Sequence, residues 1–130
     1  MPAPLGKTPT KKMPNIQVFG MEDNNATRAA LRFFRERRIV VHYVDLRKKP
    51  IAAGELRRFI DRLGAAAVLD TEGRAYQEQG LAYLTTDAAG VMGRLLGDAR
   101  LIRLPLVRYG EQVTAGKDEA AWRAWLAKPR

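Results

Sequence analysis

The spacing of apolar and polar side chains changes along the chain, and these changes predict its elements. Residues 16–19 alternate apolar and polar positions, as a half-buried strand does. Residues 26–38 repeat apolar side chains every three to four positions, which predicts an amphipathic helix. Asn24 or Asn25 can cap this helix, since a side-chain oxygen there accepts from an unpaired backbone N–H. A strand over residues 39–46 completes a β-α-β unit with parallel strands and a right-handed crossover.

The second half of the chain contains several helical patterns and then two more strands. Asp118 is the predicted N-cap of a last helix, and Trp122 and Trp125 lie on its apolar face. The remaining predictions are helices over 52–63, 75–82 and 87–96, a short apolar segment over 65–69, and a β-hairpin of strands 101–108 and 112–114.

The predicted order joins a β-α-β half to a β-β-α half. These halves form an α/β domain with a four-stranded mixed sheet and helices on both faces, which is the thioredoxin-like arrangement. A helical insert over about residues 47–99 separates the two halves.

Residues 1–14 differ in composition from the rest of the chain. They contain four prolines and three lysines, which predicts a flexible basic leader before one domain over residues 15–130. They also lack the apolar stretch of a secretory signal, and no apolar run in the chain approaches the roughly 20 residues that span a bilayer. We therefore expect a cytoplasmic protein without a membrane partner.

Three residue counts exclude several kinds of chemistry. The chain has no cysteine, so disulfides, cysteine metal sites and cysteine nucleophiles are all absent. His42 is the single histidine, and one histidine does not make a multi-histidine metal site. The chain also has no serine, which removes the usual hydroxyl of a histidine-based triad. We expect no metal and no cofactor.

The formal net charge is +9, which favours acidic partners. The first predicted helix alone carries five arginines against one glutamate. One interpretation is a solvated helix face together with a basic leader. The other is a surface that attracts an acidic protein or a nucleic acid. No helix-turn-helix, zinc finger or aromatic RNA-binding signature is present, so specific nucleic-acid binding is not expected.

Short motifs follow one another in register with these elements. They are Phe19-Gly20, Thr27-Arg28-Ala29-Ala30, Arg32-Phe33-Phe34, Glu36-Arg37-Arg38-Ile39, Val44-Asp45-Leu46, Gly54-Glu55-Leu56, residues 69–76, residues 101–107 and Gly116. The series resembles the arsenate reductase/Spx family over about residues 16–126. The resemblance implies a thioredoxin-like fold and a cis bond between Leu104 and Pro105.

The resemblance also implies where a catalytic site would lie, and the residues there differ from the family's. The catalytic cysteine of the reductases corresponds to Asn24, and the second cysteine of the Spx redox switch corresponds to Thr27. Two arginines that hold arsenate correspond to Leu104 and Glu72. The nucleophile and two anion-holding positions are therefore replaced together.

These replacements favour a degenerate site over a catalytic one. The functional interpretation of what remains is an oxyanion pocket that Asn24, Asn25, Arg103 and Pro105 form at the helix N-terminus. The alternative for the two asparagines is helix capping alone.

Three functions follow from the resemblance. The first is a non-catalytic, cysteine-less pseudoenzyme that binds an acidic protein, with RNA polymerase as the partner that Spx-like proteins imply. The second is an oxidoreductase that binds the oxyanion and relies on an external thiol such as glutathione. The third is an accessory protein, because some cysteine-poor relatives are labelled nitrogenase-associated.

Overall fold

The computed structural model describes residues 16–80 and 88–127. The predicted leader and residues 81–82 and 87 of two predicted helices lie outside these ranges. The strands are β1 (Ile16–Gly20), β2 (Val41–Asp45), β3 (Leu106–Tyr109) and β4 (Gln112–Ala115). The helices are α1 (Asn25–Glu36), α2 (Ala53–Leu63), α3 (Ala65–Val68), α4 (Arg74–Glu78), α5 (Ala88–Gly97) and α6 (Glu119–Ala127).

The strands form one mixed sheet in the order β2-β1-β3-β4. β1 pairs with β2 in parallel and with β3 antiparallel, and β3 continues into β4 through a two-residue turn. Gly110 in that turn has a φ of 63°, a left-handed conformation that glycine adopts without a steric penalty. The predicted mixed sheet and its thioredoxin-like topology are confirmed.

Apolar side chains cover both faces of the sheet. On one face, Phe33 and Phe34 of α1 pack with Trp122 of α6, with ring centroids 5.1–5.4 Å apart. On the other face, α2 and α5 pack over Phe19 of β1, and Phe59 of α2 meets its ring edge-on at 5.9 Å. The sequence between β2 and β3 thus supplies most of the second layer.

The third strand is shorter than the predicted 101–108. Leu101 closes a 3-10 turn, and Ile102 makes only an isolated bridge with Leu69. Pro105 has no N–H to donate to a ladder, and the strand begins directly after it. The apolar residues of this stretch are buried, but burial alone does not distinguish a strand from a packed turn.

The first helix also ends earlier than the predicted Arg38. Its last helical residue is Glu36, and Arg38 has a φ of 61°. The N–H of Ile39 then donates to the carbonyl of Phe34 at 2.9 Å, which turns the chain toward β2.

Candidate functional site

The end of β1 and the first turn of α1 touch each other. A Cβ on Gly20 would lie only 2.4 Å from the hydroxyl oxygen of Thr27, so the approach requires glycine. Thr27 itself is completely buried. The chain between these residues is therefore held as a short loop over the sheet, in the position where the resemblance places a catalytic cysteine.

Asn24 caps α1. Its side-chain oxygen accepts from the Thr27 N–H at 2.7 Å and from the Thr27 hydroxyl at 2.9 Å. Its own N–H donates to the carbonyl of Met21 at 2.9 Å. The capping interpretation of Asn24 is confirmed, and the Thr27 N–H is already satisfied by a residue of the chain.

Hydrogen bonds and an ion pair connect Asn25 and the residues around it. The Arg28 guanidinium donates to the Glu22 carbonyl at 2.6 Å and to the side-chain oxygen of Asn25. Asp23 forms an ion pair with Arg47 at the end of β2. The arginines nearest to the α1 N-terminus therefore hold the loop in place, and two exposed acidic residues, Glu22 and Asp23, lie beside it.

The register of the sheet determines the position of Pro105. Phe19 is opposite Leu106, so the next residues along the two chains are Gly20 and Pro105. The Leu104–Pro105 peptide bond is cis. Pro105 is buried, and its carbonyl accepts from the Gly116 N–H at 2.9 Å. Pro105 thus lies beside the end of β1 and contributes no free donor to an anion.

The side chain of Arg103 makes its hydrogen bond away from the β1–α1 loop. Its guanidinium donates to the carbonyl of Leu69 at 3.4 Å, and its aliphatic carbons lie where a Cβ on Gly116 would be 3.1 Å away. Of the four residues of the predicted oxyanion pocket, Asn24, Asn25 and Pro105 lie around the β1–α1 loop, while the hydrogen bond of Arg103 goes to the end of α3. Leu104 is buried in the core, and Glu72 is exposed.

Comparison with known proteins decides the family. A family model described as the ArsC family matches residues 19–125. The chain belongs to the ArsC family. No curated protein matches the chain.

Solved structures show the same fold at low sequence identity. The YFFB (PA3664) protein is 20% identical, covers 87% of this ArsC-family chain and 100% of its own, and superposes with a TM-score of 0.81. An arsenate reductase from Vibrio cholerae is 16% identical, with 83% and 94% coverage and a TM-score of 0.72. An arsenate reductase related protein from Brucella melitensis is 16% identical, with 93% and 100% coverage and a TM-score of 0.66.

Tyr43 of β2 is a half-buried group beside the β1–α1 loop of this ArsC-family chain. Its hydroxyl is inaccessible to solvent and has no hydrogen-bond partner among the described residues. Burial, with the nearby carboxylates of Asp45, Glu22 and Asp23, raises the pKa of Tyr43 to about 12. Tyr43 therefore stays a neutral phenol at physiological pH.

A polar network on the α2 face of the sheet escaped the sequence analysis. Arg108 forms an ion pair with Glu55 of α2 at 2.8 Å and donates to the side-chain oxygen of Gln17 at 2.6 Å. Gln17 in turn lies 3.4 Å from His42 Nδ1. Gln17 and Arg108 are 91 residues apart in sequence, so the only available signal was the alternation that directs Gln17 away from Ile16 and Val18.

The basic residues of α1 lie on its exposed side. Arg28, Arg32 and Arg35 follow the four- and three-residue spacing that places side chains along one helix face. The Arg37 guanidinium lies 3.7 Å from the Phe33 ring centroid, and that of Arg123 on α6 lies 5.7 Å from it. Because Phe33 belongs to the buried side of α1, we call only the exposed row of Arg28, Arg32 and Arg35 the arginine face.

Neither a metal-binding cluster nor a membrane-spanning helix is present among the described residues. No cluster of three or more histidine, aspartate or glutamate side chains there is arranged to hold a metal ion. No helix in the same ranges is both long and apolar enough to cross a bilayer.

Proposed function

We propose that this ArsC-family chain does not reduce arsenate and acts by binding an acidic partner protein. One observation carries the first half of the proposal. Asn24 stands where the resemblance places the catalytic cysteine, and its side chain is engaged as the cap of α1. An amide oxygen that already accepts two hydrogen bonds has no nucleophilic role in arsenate chemistry.

The surroundings of Asn24 support the same conclusion. A reductase without its own thiol would still have to hold the oxyanion for an external one. Here the Thr27 N–H is satisfied by the cap, and Arg28 and Arg47 are engaged with loop oxygens. Leu104 is buried and apolar at a position where the resemblance expects arginine. These features disfavour binding of a free oxyanion, with or without glutathione.

The arginine face supports the binding half of the proposal. Within residues 16–80 and 88–127, the side chains of Arg32 and Arg35 have no hydrogen bond or ion pair, and both are exposed. Guanidinium groups match carboxylates in a two-pronged geometry, so an exposed row of them favours an acidic protein surface. We place this protein in the cytoplasm, and RNA polymerase is the first acidic partner to test.

The catalytic half is tested by arsenate-dependent oxidation of glutathione. The wild-type protein is expected to stay at the buffer background. Turnover above that background by the wild-type protein would overturn the proposal and favour the external-thiol oxidoreductase.

Two cysteine variants test whether the thiol alone, or the anion pocket as well, is missing from the catalytic site. Asn24→Cys restores a thiol at the expected position, and Asn25→Cys places one at the adjacent position as a matched control. We expect both variants to remain at background, because the anion-holding arginines are absent as well. Activity in Asn24→Cys alone would show that the anion pocket survives and that the thiol is the only missing part.

The binding half is tested with purified RNA polymerase at physiological salt with nuclease present. We expect the double variant Arg32→Glu/Arg35→Glu to bind at least about tenfold more weakly than the wild type. The matched control is Arg57→Glu/Arg94→Glu, which makes the same charge change on α2 and α5, the helices of the opposite layer. Equal losses in both variants would assign the binding to net charge, and no binding by the wild type would reject this partner.

A further inference from the structure

β4 is an outer strand of the sheet whose free side carries backbone hydrogen-bonding groups. The residues that close the two-residue hairpin, Tyr109 and Gln112, exchange hydrogen bonds, and bonding then alternates along an antiparallel pair. Val113 and Ala115 therefore direct their N–H and C=O groups away from β3. Within the described ranges no residue donates to or accepts from these four groups.

A groove runs along this free side. Its volume is about 500 Å³, and β4 forms its floor. Leu63 and Ala67 at the end of α2 and in α3 form one wall, and Ala121 and Trp125 of α6 form the other. The alanines leave space between the walls, and Leu63, Val113 and Trp125 contribute apolar surface to the groove.

Among the described residues, the strand also lacks the features that usually protect a sheet edge. Proteins block such edges with charged side chains, prolines, bulges or a covering element. The sequence Gln-Val-Thr-Ala of β4 has no charge and no proline, and its pairing with β3 is regular throughout. An unprotected edge at the bottom of a groove is suited to accepting one more strand.

The charges at the groove differ in sign from the charge of the whole chain. Glu111 lies at the hairpin end with its side chain 83% exposed, and Asp118 lies at the other end. Among the lining residues within 16–80 and 88–127, Arg62 is the one basic residue and pairs with Glu111 at 2.7 Å, so this part of the lining is net acidic on a chain of net charge +9. This polarity favours an occupant with basic ends.

We propose that the β4 groove binds an extended peptide segment of a partner protein, apolar at its centre and basic at its ends, which pairs with β4 as a fifth strand. The recessed position favours a single segment over the edge of a second copy, because a second sheet carries its own flanking helices. The site lies on β4, α3, α6 and the end of α2 and is independent of the chemistry at Asn24.

The probe is a short capped peptide of alternating threonine and valine with a lysine at each end. On its addition to the full chain, we expect amide hydrogen exchange at Val113 and Ala115 to slow by about tenfold or more. A peptide with glutamate at both ends is expected to bind more weakly, although the +9 chain attracts it more strongly at long range. A backbone N-methylated peptide is expected not to bind.

Two neighbouring alanines of α3 provide a matched pair of variants. Ala67 lines the groove, while Ala66, which is also exposed, does not. We expect Ala67→Leu to weaken peptide binding by about tenfold or more and Ala66→Leu to leave it unchanged. Ala115→Pro removes an outward N–H without removing a bond to β3, and it should weaken binding as well.

Four outcomes would overturn the proposal. They are absence of peptide binding, equal effects of the two leucine variants, tighter binding of the glutamate peptide, and a concentration-dependent dimer that Ala67→Leu abolishes. The dimer would assign the edge to a second copy. Strong protection of the Val113 and Ala115 amides in dilute protein without peptide would assign it to another segment of the chain and would also reject the proposal.

Discussion

The indole N–H of Trp122 on α6 donates a 2.9 Å hydrogen bond to the hydroxyl of Thr114 on β4, and both side chains are buried. We expect Thr114→Val to lower the free energy of unfolding by about 1–3 kcal/mol, because it leaves a buried N–H without an acceptor. Urea unfolding measures this, and Thr114→Ser, which keeps the hydroxyl, is the control. A loss as large in the serine variant would show that the methyl group, and not the bond, stabilises this contact.

Asn24 allows a test of the helix cap. We expect Asn24→Ala to lower the free energy of unfolding by about 1 kcal/mol, since the Thr27 N–H loses its acceptor. Asn24→Asp keeps a side-chain oxygen and should retain most of the stability. Asn25→Ala is the neighbouring control, and thermal or urea denaturation gives all three values. If Asn25→Ala were the more destabilising alanine variant, the cap would be assigned to the wrong residue.

Two ion pairs connect α2 to the β3–β4 hairpin and differ mainly in burial. Arg108–Glu55 is 2.8 Å long with side chains 24% and 20% exposed, whereas Arg62–Glu111 is 2.7 Å long with side chains 50% and 83% exposed. We expect Glu55→Gln to destabilise the protein by about 2 kcal/mol or more, because a largely buried guanidinium loses its counter-charge.

The exposed pair is the internal control for this prediction. Glu111→Gln should cost no more than about 0.5 kcal/mol, because water and salt screen an exposed pair. Both costs come from the same urea experiment. Equal costs would mean that burial does not determine the contribution of these pairs.

Tyr43 gives the protein a predicted alkaline instability. Its pKa is about 12 in the folded protein, above its ordinary value of 10.0, so the folded state holds the phenolic proton more tightly than the unfolded state. This contribution to stability is complete below pH 10 and is lost as the pH rises to 12. Unfolding free energies measured by urea denaturation between pH 9 and 12 should therefore fall across this interval.

The matched variant is Tyr43→Phe. It removes the titrating group, so the stability loss between pH 10 and 12 should be smaller than in the wild type. It also removes a buried hydroxyl that has no partner within the described residues, so we expect stability at pH 7 to be unchanged or higher by about 1 kcal/mol. An unchanged alkaline slope would show that Tyr43 is not the responsible group.

Local features of the sequence were enough to predict the order of the four strands and of the helices other than α3, where only a short apolar segment was predicted. Asn24 and Asp118 are both caps in the structure, because a capping side chain acts on N–H groups within three residues of itself. The helix over 52–63 was predicted within one residue for the same reason: its apolar spacing and the following Gly64 are local signals.

Local patterns did not predict contacts between residues that are far apart in the sequence. The beginning of β3 was misplaced because Leu101 and Ile102 are as buried as strand residues while lying in a turn and an isolated bridge. The direction of Arg103 toward Leu69, which removes it from the predicted pocket, depends on how α3 packs against the chain before β3. The Glu55–Arg108–Gln17 network forms only when α2, β3 and β1 are packed together, so no local pattern predicts it.

The central position of β3 has a consequence for how the chain reaches its native state. β3 lies between β1 and β4, and its pairing with β1 brings Gln17 and Arg108 together across 91 residues. Closing such a long loop costs entropy before the contacts repay it, so this pairing should limit the folding rate. During synthesis from the N-terminus, β1 and β2 emerge long before β3, and a complete sheet forms only after β3 and β4 have also left the ribosome.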